Sequence, residues 1–136
     1  PSSTPITAVT SPSSSSSSSS STPARYLGTW EGQGTALGGA LPMGTFRVTV
    51  RQAAVGEEAG TVRHTDQIGG VCTDVLTLKQ VTGTELVLSS KGAGDNPPNC
   101  VQAEHTVRLG PVGDDLMYKS ESSGSGHPQA RLSKAG

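Results

Sequence analysis

Between Arg25 and Lys119, apolar and polar residues alternate with a period of two. Phe46, Val48 and Val50 alternate with Arg47, Thr49 and Arg51, the pattern of a strand with one buried face. The same alternation runs through Leu76 and Leu78, through Leu86 and Leu88, and through Leu116 and Tyr118. Val101, Ala103, His105, Val107 and Leu109 fall on one face of a further strand. A first strand around Gly28 to Gly34 and a third around Gly60 to Thr65 bring the number to about seven. Glycine- and proline-bearing turns separate them, among them Gly38-Gly39, Gly69-Gly70 and the run from Gly94 to Pro98. No segment carries a helical period. The pattern predicts an all-β fold, a small antiparallel meander closing into a barrel or flattening into a sandwich. Closure is favoured, because an open meander of this size leaves long edges unpaired.

Composition divides the 136 residues into three parts. Residues 1–24 carry no charge, and 12 of them are serine. The unbroken serine run from Ser13 to Ser21 has no apolar side chains to offset the entropy of ordering its backbone, so residues 1–24 read as a disordered Ser/Pro/Thr-rich linker. The expected domain covers residues 25–119. Residues 120–136, rich in serine and glycine, read as a flexible C-terminal tail. The chain starts with proline, which suggests a piece of something longer on its N-terminal side. It contains no run of apolar residues long enough to span a membrane.

Charge narrows the function classes. Ten basic and 11 acidic residues are interspersed and give a net charge of −1, which argues against a nucleic-acid surface. The two cysteines, Cys72 and Cys100, stand in a short, apolar-poor chain behind an uncharged stalk. Disulfide-bonded, they indicate an oxidising compartment; the alternative is two unrelated free thiols. A loop of this length contributes roughly 3–3.5 kcal/mol by loop-closure entropy. Neither cysteine has a partner at metal-ligand spacing, so no metal is expected.

Candidate chemistry is sparse. His64 and His105 lie on apolar faces and read as core residues rather than as a joint site, and His127 falls in the tail. The paired carboxylates Glu57-Glu58 and Asp114-Asp115 occupy turns, and no nucleophile elbow or phosphate loop is present. No catalytic residue and no cofactor are expected. Arg47 and Arg51 share the polar face of one strand, and Arg63 lies on the next. If those strands pair as a hairpin, the three guanidinium groups cluster, either as an anion site or as a charged outer face. Gly28-Thr29-Trp30 is similar to the Gly-x-Trp that opens the first strand of calycin barrels such as lipocalins and avidins, where the tryptophan plugs one end. That likeness implies a core role for Trp30. Together with Arg47, Arg51 and Arg63, it is where a search for binding residues starts.

A longer likeness runs through Gly28-Thr29-Trp30-Glu31-Gly32, then Phe46 to Glu57 with Gly60-Thr61. It continues through Cys72-Thr73, Glu85-Leu86-Val87-Leu88, Cys100, His105 to Leu109, and Gly113 to Tyr118. Residues 26–119 resemble the C-terminal domain of actinobacterial membrane-anchored serine/threonine protein kinases, typified in streptomycetes. In that family a cytoplasmic kinase domain precedes one membrane helix, a Ser/Pro/Thr-rich linker and this extracytoplasmic head. The resemblance implies a sensor domain that binds an envelope or extracellular ligand or protein, with self-association as a further route of signalling. Contact with the membrane would come only through the upstream helix. The kinase's own motifs are absent from this chain, so any phosphoryl transfer belongs to the parent protein. The alternative is a free-standing secreted or lipid-anchored β-protein, an inhibitor or cell-wall adapter without a signalling role. The sequence upstream of Pro1 discriminates between the two.

Overall fold

The structure, a computed structural model, describes residues 21–98, 100, 102–122 and 126–135. Eight strands follow one another: β1 (Gly28–Ala36), β2 (Leu41–Val50), β3 (Glu58–Thr65), β4 (Val71–Val81), β5 (Leu86–Gly92), β6 (His105–Val112), β7 (Asp115–Ser120) and β8 (Gln129–Lys134). Each pairs antiparallel with the next, and β8 pairs with β1, so the sheet is a closed barrel rather than a sandwich. The alternation explains the strands. Phe46, Val48 and Val50 are buried along β2, whereas Arg47 faces solvent. Closure leaves no unpaired edge.

The eighth strand corrects the expected C-terminal tail. Gln129, Arg131 and Ser133 alternate with Ala130 and Leu132, and both apolar side chains are buried in the core. Leu132 lies opposite Leu116 on β7, and Trp30 on β1 lies opposite Lys134. The preceding Ser/Gly-rich stretch masks this short strand in the sequence. It is stable because it has two neighbours to bond, one on each side.

The N-terminal boundary also moves. Residues 1–20 of the expected linker lie outside the described residues, but Ser21 to Ala24 belong to the folded unit. Ser21 bridges to Ala54, and Thr22 N–H donates to the Ala53 carbonyl at 3.0 Å. A 3-10 turn over Ala24–Tyr26 then carries Tyr26 into the core. The sixth strand is shorter than its pattern suggests. It begins at His105; Ala103 is exposed in the preceding connection, and Val101 lies outside the described residues.

The two ends of the barrel differ. Leucines from β4 to β8 fill the end nearest Tyr26 and Trp30. Trp30 donates its indole N–H to the Tyr26 carbonyl at 3.0 Å. Lys134 Nζ stands 4.8 Å from the Trp30 ring centroid and donates to the Leu27 carbonyl at 2.9 Å. This end is closed by packed side chains.

Candidate functional site

Away from the bulges that shift the register beside Ala59 on β3 and Lys79 on β4, the inward residues of a strand share one parity. Four of the inward rows change character along their length. On β4 the row runs from Leu78 and Leu76 to Asp74 and Cys72, and on β5 from Leu86 and Leu88 to Ser90. On β3 Val62 is followed by His64, and on β7 Leu116 and Tyr118 are followed by Ser120. The strands are antiparallel and in register, so all the polar ends meet at the same end of the barrel, opposite Trp30. A cavity of about 580 Å³ opens there. All four connections at that end contribute to its rim, through Leu37 and Leu41, Asp66, Cys100, and Ser122 with Pro128.

An aromatic wall stands on one side. The Phe46 ring stacks on His64, with centroids 4.5 Å apart and planes 15° from parallel, and lies 5.1 Å from Tyr118. Gly34 on β1 permits this: a Cβ there would come within 2.2 Å of Phe46 Cε1. The side formed by β4 and β5 is polar. Ser90 Oγ donates to Asp74 Oδ2 at 2.7 Å. Burial holds the Tyr118 phenol well above its ordinary pKa, and the nearby Asp74 carboxylate pushes the same way. A hydrogen bond with Ser120 opposes them. His64 Nε2–H donates to the Met43 carbonyl, and His105 Nδ1–H donates to the Ala103 carbonyl at 3.1 Å. A carbonyl only accepts, so when a ring is neutral these contacts fix which nitrogen carries its proton. The second nitrogen is then an acceptor.

The Cys72–Cys100 bridge is formed, with Cα atoms 5.7 Å apart. It is consistent with an extracytoplasmic location. It ties the connection between β5 and β6 to the start of β4, at the cavity rim. Asn96 reinforces the tie: its side chain donates to the Thr73 carbonyl at 2.6 Å and accepts from the Thr73 N–H at 2.9 Å. Cys100 stands in that connection, ahead of β6.

The binding residues expected from sequence stand elsewhere. Arg47 lies directly opposite Arg63 on the outer face of the β2–β3 hairpin. Arg47 also faces Glu31 on β1, with a 3.5 Å ion pair. Arg51 lies just beyond β2 and pairs with Glu58. The hairpin therefore sets Arg47 and Arg63 at opposed positions, and carboxylates engage both Arg47 and Arg51. Trp30 is 4% exposed at the closed end. None of the four lines the cavity. His64 and His105, read as separate core residues, instead share its wall, because barrel closure brings β3 and β6 around one lumen. Asp74, Ser90 and Ser120 escaped the sequence reading. Their signal was parity: each sits in line with leucines yet is polar.

Among the described residues, no three His, Cys, Asp or Glu side chains gather as a metal site, and no helix is long and apolar enough to cross a membrane. In comparisons with known proteins, the chain matches no family model, no curated protein and no solved structure.

Proposed function

We propose that this barrel is the ligand-binding head of an exported receptor and takes a small molecule into its open end. One observation carries the reading: leucines fill one half of the barrel, whereas inward polar and aromatic side chains line a solvent-open cavity of about 580 Å³ in the other. That volume lies in the range of small-molecule sites, and an apolar wall with a few placed polar groups is their usual make-up. The disulfide at the rim supports an extracytoplasmic setting. The resemblance of residues 26–119 extends the reading to a relay, in which occupancy of the head alters a cytoplasmic serine/threonine kinase domain across the membrane. The ligand does so only by binding one state of the receptor more tightly than the other.

Protein-observed NMR with a library of small molecules tests the reading. Expected hits perturb the amides of Val62, His64, Tyr118 and Ser120 together. Perturbations confined to the outer Arg47 and Arg63 face would move the site outside the barrel. A hit then added to the full receptor is expected to change its autophosphorylation. A parent chain with only a signal peptide ahead of Pro1 would leave a free-standing exported binding protein.

A further inference from the structure

We propose that the cavity is built for an organic cation, a primary or secondary amine on an apolar body, with its ammonium held by Asp74. This rests on the ligand-binding reading above and gives the ligand its chemistry.

The argument starts from charge. Among the described residues, two carboxylates, Asp66 and Asp74, line the cavity, and no lysine or arginine does. The basic side chains of this barrel face outward or stand at the closed end: Arg47 and Arg63 on the outer face, Lys134 over Trp30. An anionic ligand would thus enter a lumen with two negative charges and no counter-charge. A cation meets the reverse.

The two carboxylates are not equivalent. Asp66 closes the turn between β3 and β4: its Oδ1 accepts the N–H groups of Ile68 at 3.0 Å and Gly70 at 2.7 Å. Asp74 lies further along β4, inside the barrel. Ser90 satisfies its Oδ2, and among the described residues no hydrogen bond reaches Oδ1. Ser90 is fully buried and donates its proton to the carboxylate. It is therefore a positioning residue that fixes the Asp74 plane, and a poor nucleophile even though His105 faces it across the β5–β6 ladder.

Hydrogen-bonding capacity points the same way. The spare Asp74 oxygen is an acceptor, and so is the second nitrogen of each histidine whenever its ring is neutral. A donor-rich ammonium complements such a lining better than a carbonyl or carboxylate. The rings of Phe46 and Tyr118 add apolar surface to the wall beside it. Leu37, Leu41 and Met43 at the mouth suit the apolar body that follows the head inward.

The test is calorimetric titration of the full chain with three probes that share an indole-ethyl body: tryptamine, tryptophol and indole-3-propionate. Tryptamine is expected to bind at least about tenfold more tightly than tryptophol, with indole-3-propionate weakest. Asp74→Asn keeps an acceptor for Ser90 and is expected to bring tryptamine down to the tryptophol level while leaving tryptophol unchanged. Asp66→Asn retains its turn and, removing one of the two lining charges at the rim, is expected to lower the preference less than Asp74→Asn does. If tryptophol or indole-3-propionate binds as tightly as tryptamine, the amine assignment falls and the cavity reading stands. If none of the three binds at concentrations on the order of millimolar, both fall. A tryptamine preference that survives Asp74→Asn overturns the role given to Asp74. The wild-type series decides the ligand class even if the variant does not fold.

Discussion

Removing the Cys72–Cys100 bridge gives the clearest quantitative test of how this barrel is held together. The two residues are 28 apart in sequence, and the bridge restricts the unfolded chain far more than the native one. Loop-closure entropy for such a separation contributes about 3.5 kcal/mol. Domains of this size are stable by roughly 5–15 kcal/mol, so the bridge supplies a substantial share. At around 4 °C per kcal/mol, the double variant Cys72→Ala/Cys100→Ala should melt about 15 °C lower. The fold itself should survive. Eight paired strands close the barrel without the bridge, and the connection it anchors is also held by Asn96 on Thr73 and by Ala93 N–H on the Thr73 carbonyl at 2.9 Å. Calorimetric melts of the oxidised, reduced and double-variant proteins measure the first effect. Amide exchange measures the second, and extra opening should be confined to residues 93–104. A melting shift below about 3 °C would refute the entropic argument, because it would mean the unfolded chain gains no freedom from the cut. Exchange rising evenly over all eight strands would refute the local anchoring.

Four further outcomes follow from the same geometry. Tyr26 is fully buried and its hydroxyl has no partner among the described residues, so Tyr26→Phe should raise stability by about 1 kcal/mol; a loss of that size in urea unfolding would contradict the orphaned hydroxyl. Leu132→Ala should cost about 2–4 kcal/mol, and a chain ending at Lys119 should give the NMR spectrum of an unfolded protein, because β1 and β7 then face open edges; a dispersed spectrum from the shortened chain would show β8 to be dispensable. The raised Tyr118 pKa fixes the sign of an alkaline effect: the unfolded phenol ionises near pH 10 while the native one stays protonated, so stability is full below pH 10 and falls as the pH rises above it. Tyr118→Phe should flatten that fall, as read from melting temperature between pH 9 and 11, and an unchanged slope would remove Tyr118 as its source. Gly34→Ala should cost about 1–3 kcal/mol and displace the Phe46 ring from its stack on His64, visible as changed ring-current shifts of the histidine protons; wild-type shifts would mean the ring does not fill the space above Gly34.

The alternation of residues dictated most of the strands, because a strand with one wet face repeats every two residues whatever its neighbours are. It identified Phe46, Val48, Val50, Leu76, Leu86 and Leu116 as inward, and each is buried. The likeness to calycin barrels put Trp30 in the core, pairing of the second and third strands put Arg47 near Arg63, and the cysteine pair is bonded. Two things required the tertiary structure. The first is β8. The six residues of β8 after a Ser/Gly-rich stretch carry little local preference, and only the waiting edges of β1 and β7 make a strand of them. The second is the site. Parity says that Asp74, Ser90, His64, His105 and Ser120 face the same way as their apolar neighbours, but not that they meet. They come from β3, β4, β5, β6 and β7, and register between strands is a property of the closed sheet rather than of any one strand. Closure collects the polar ends of those rows at one mouth and the leucines at the other, which is why the packed half of this barrel was legible in the sequence and its cavity was not.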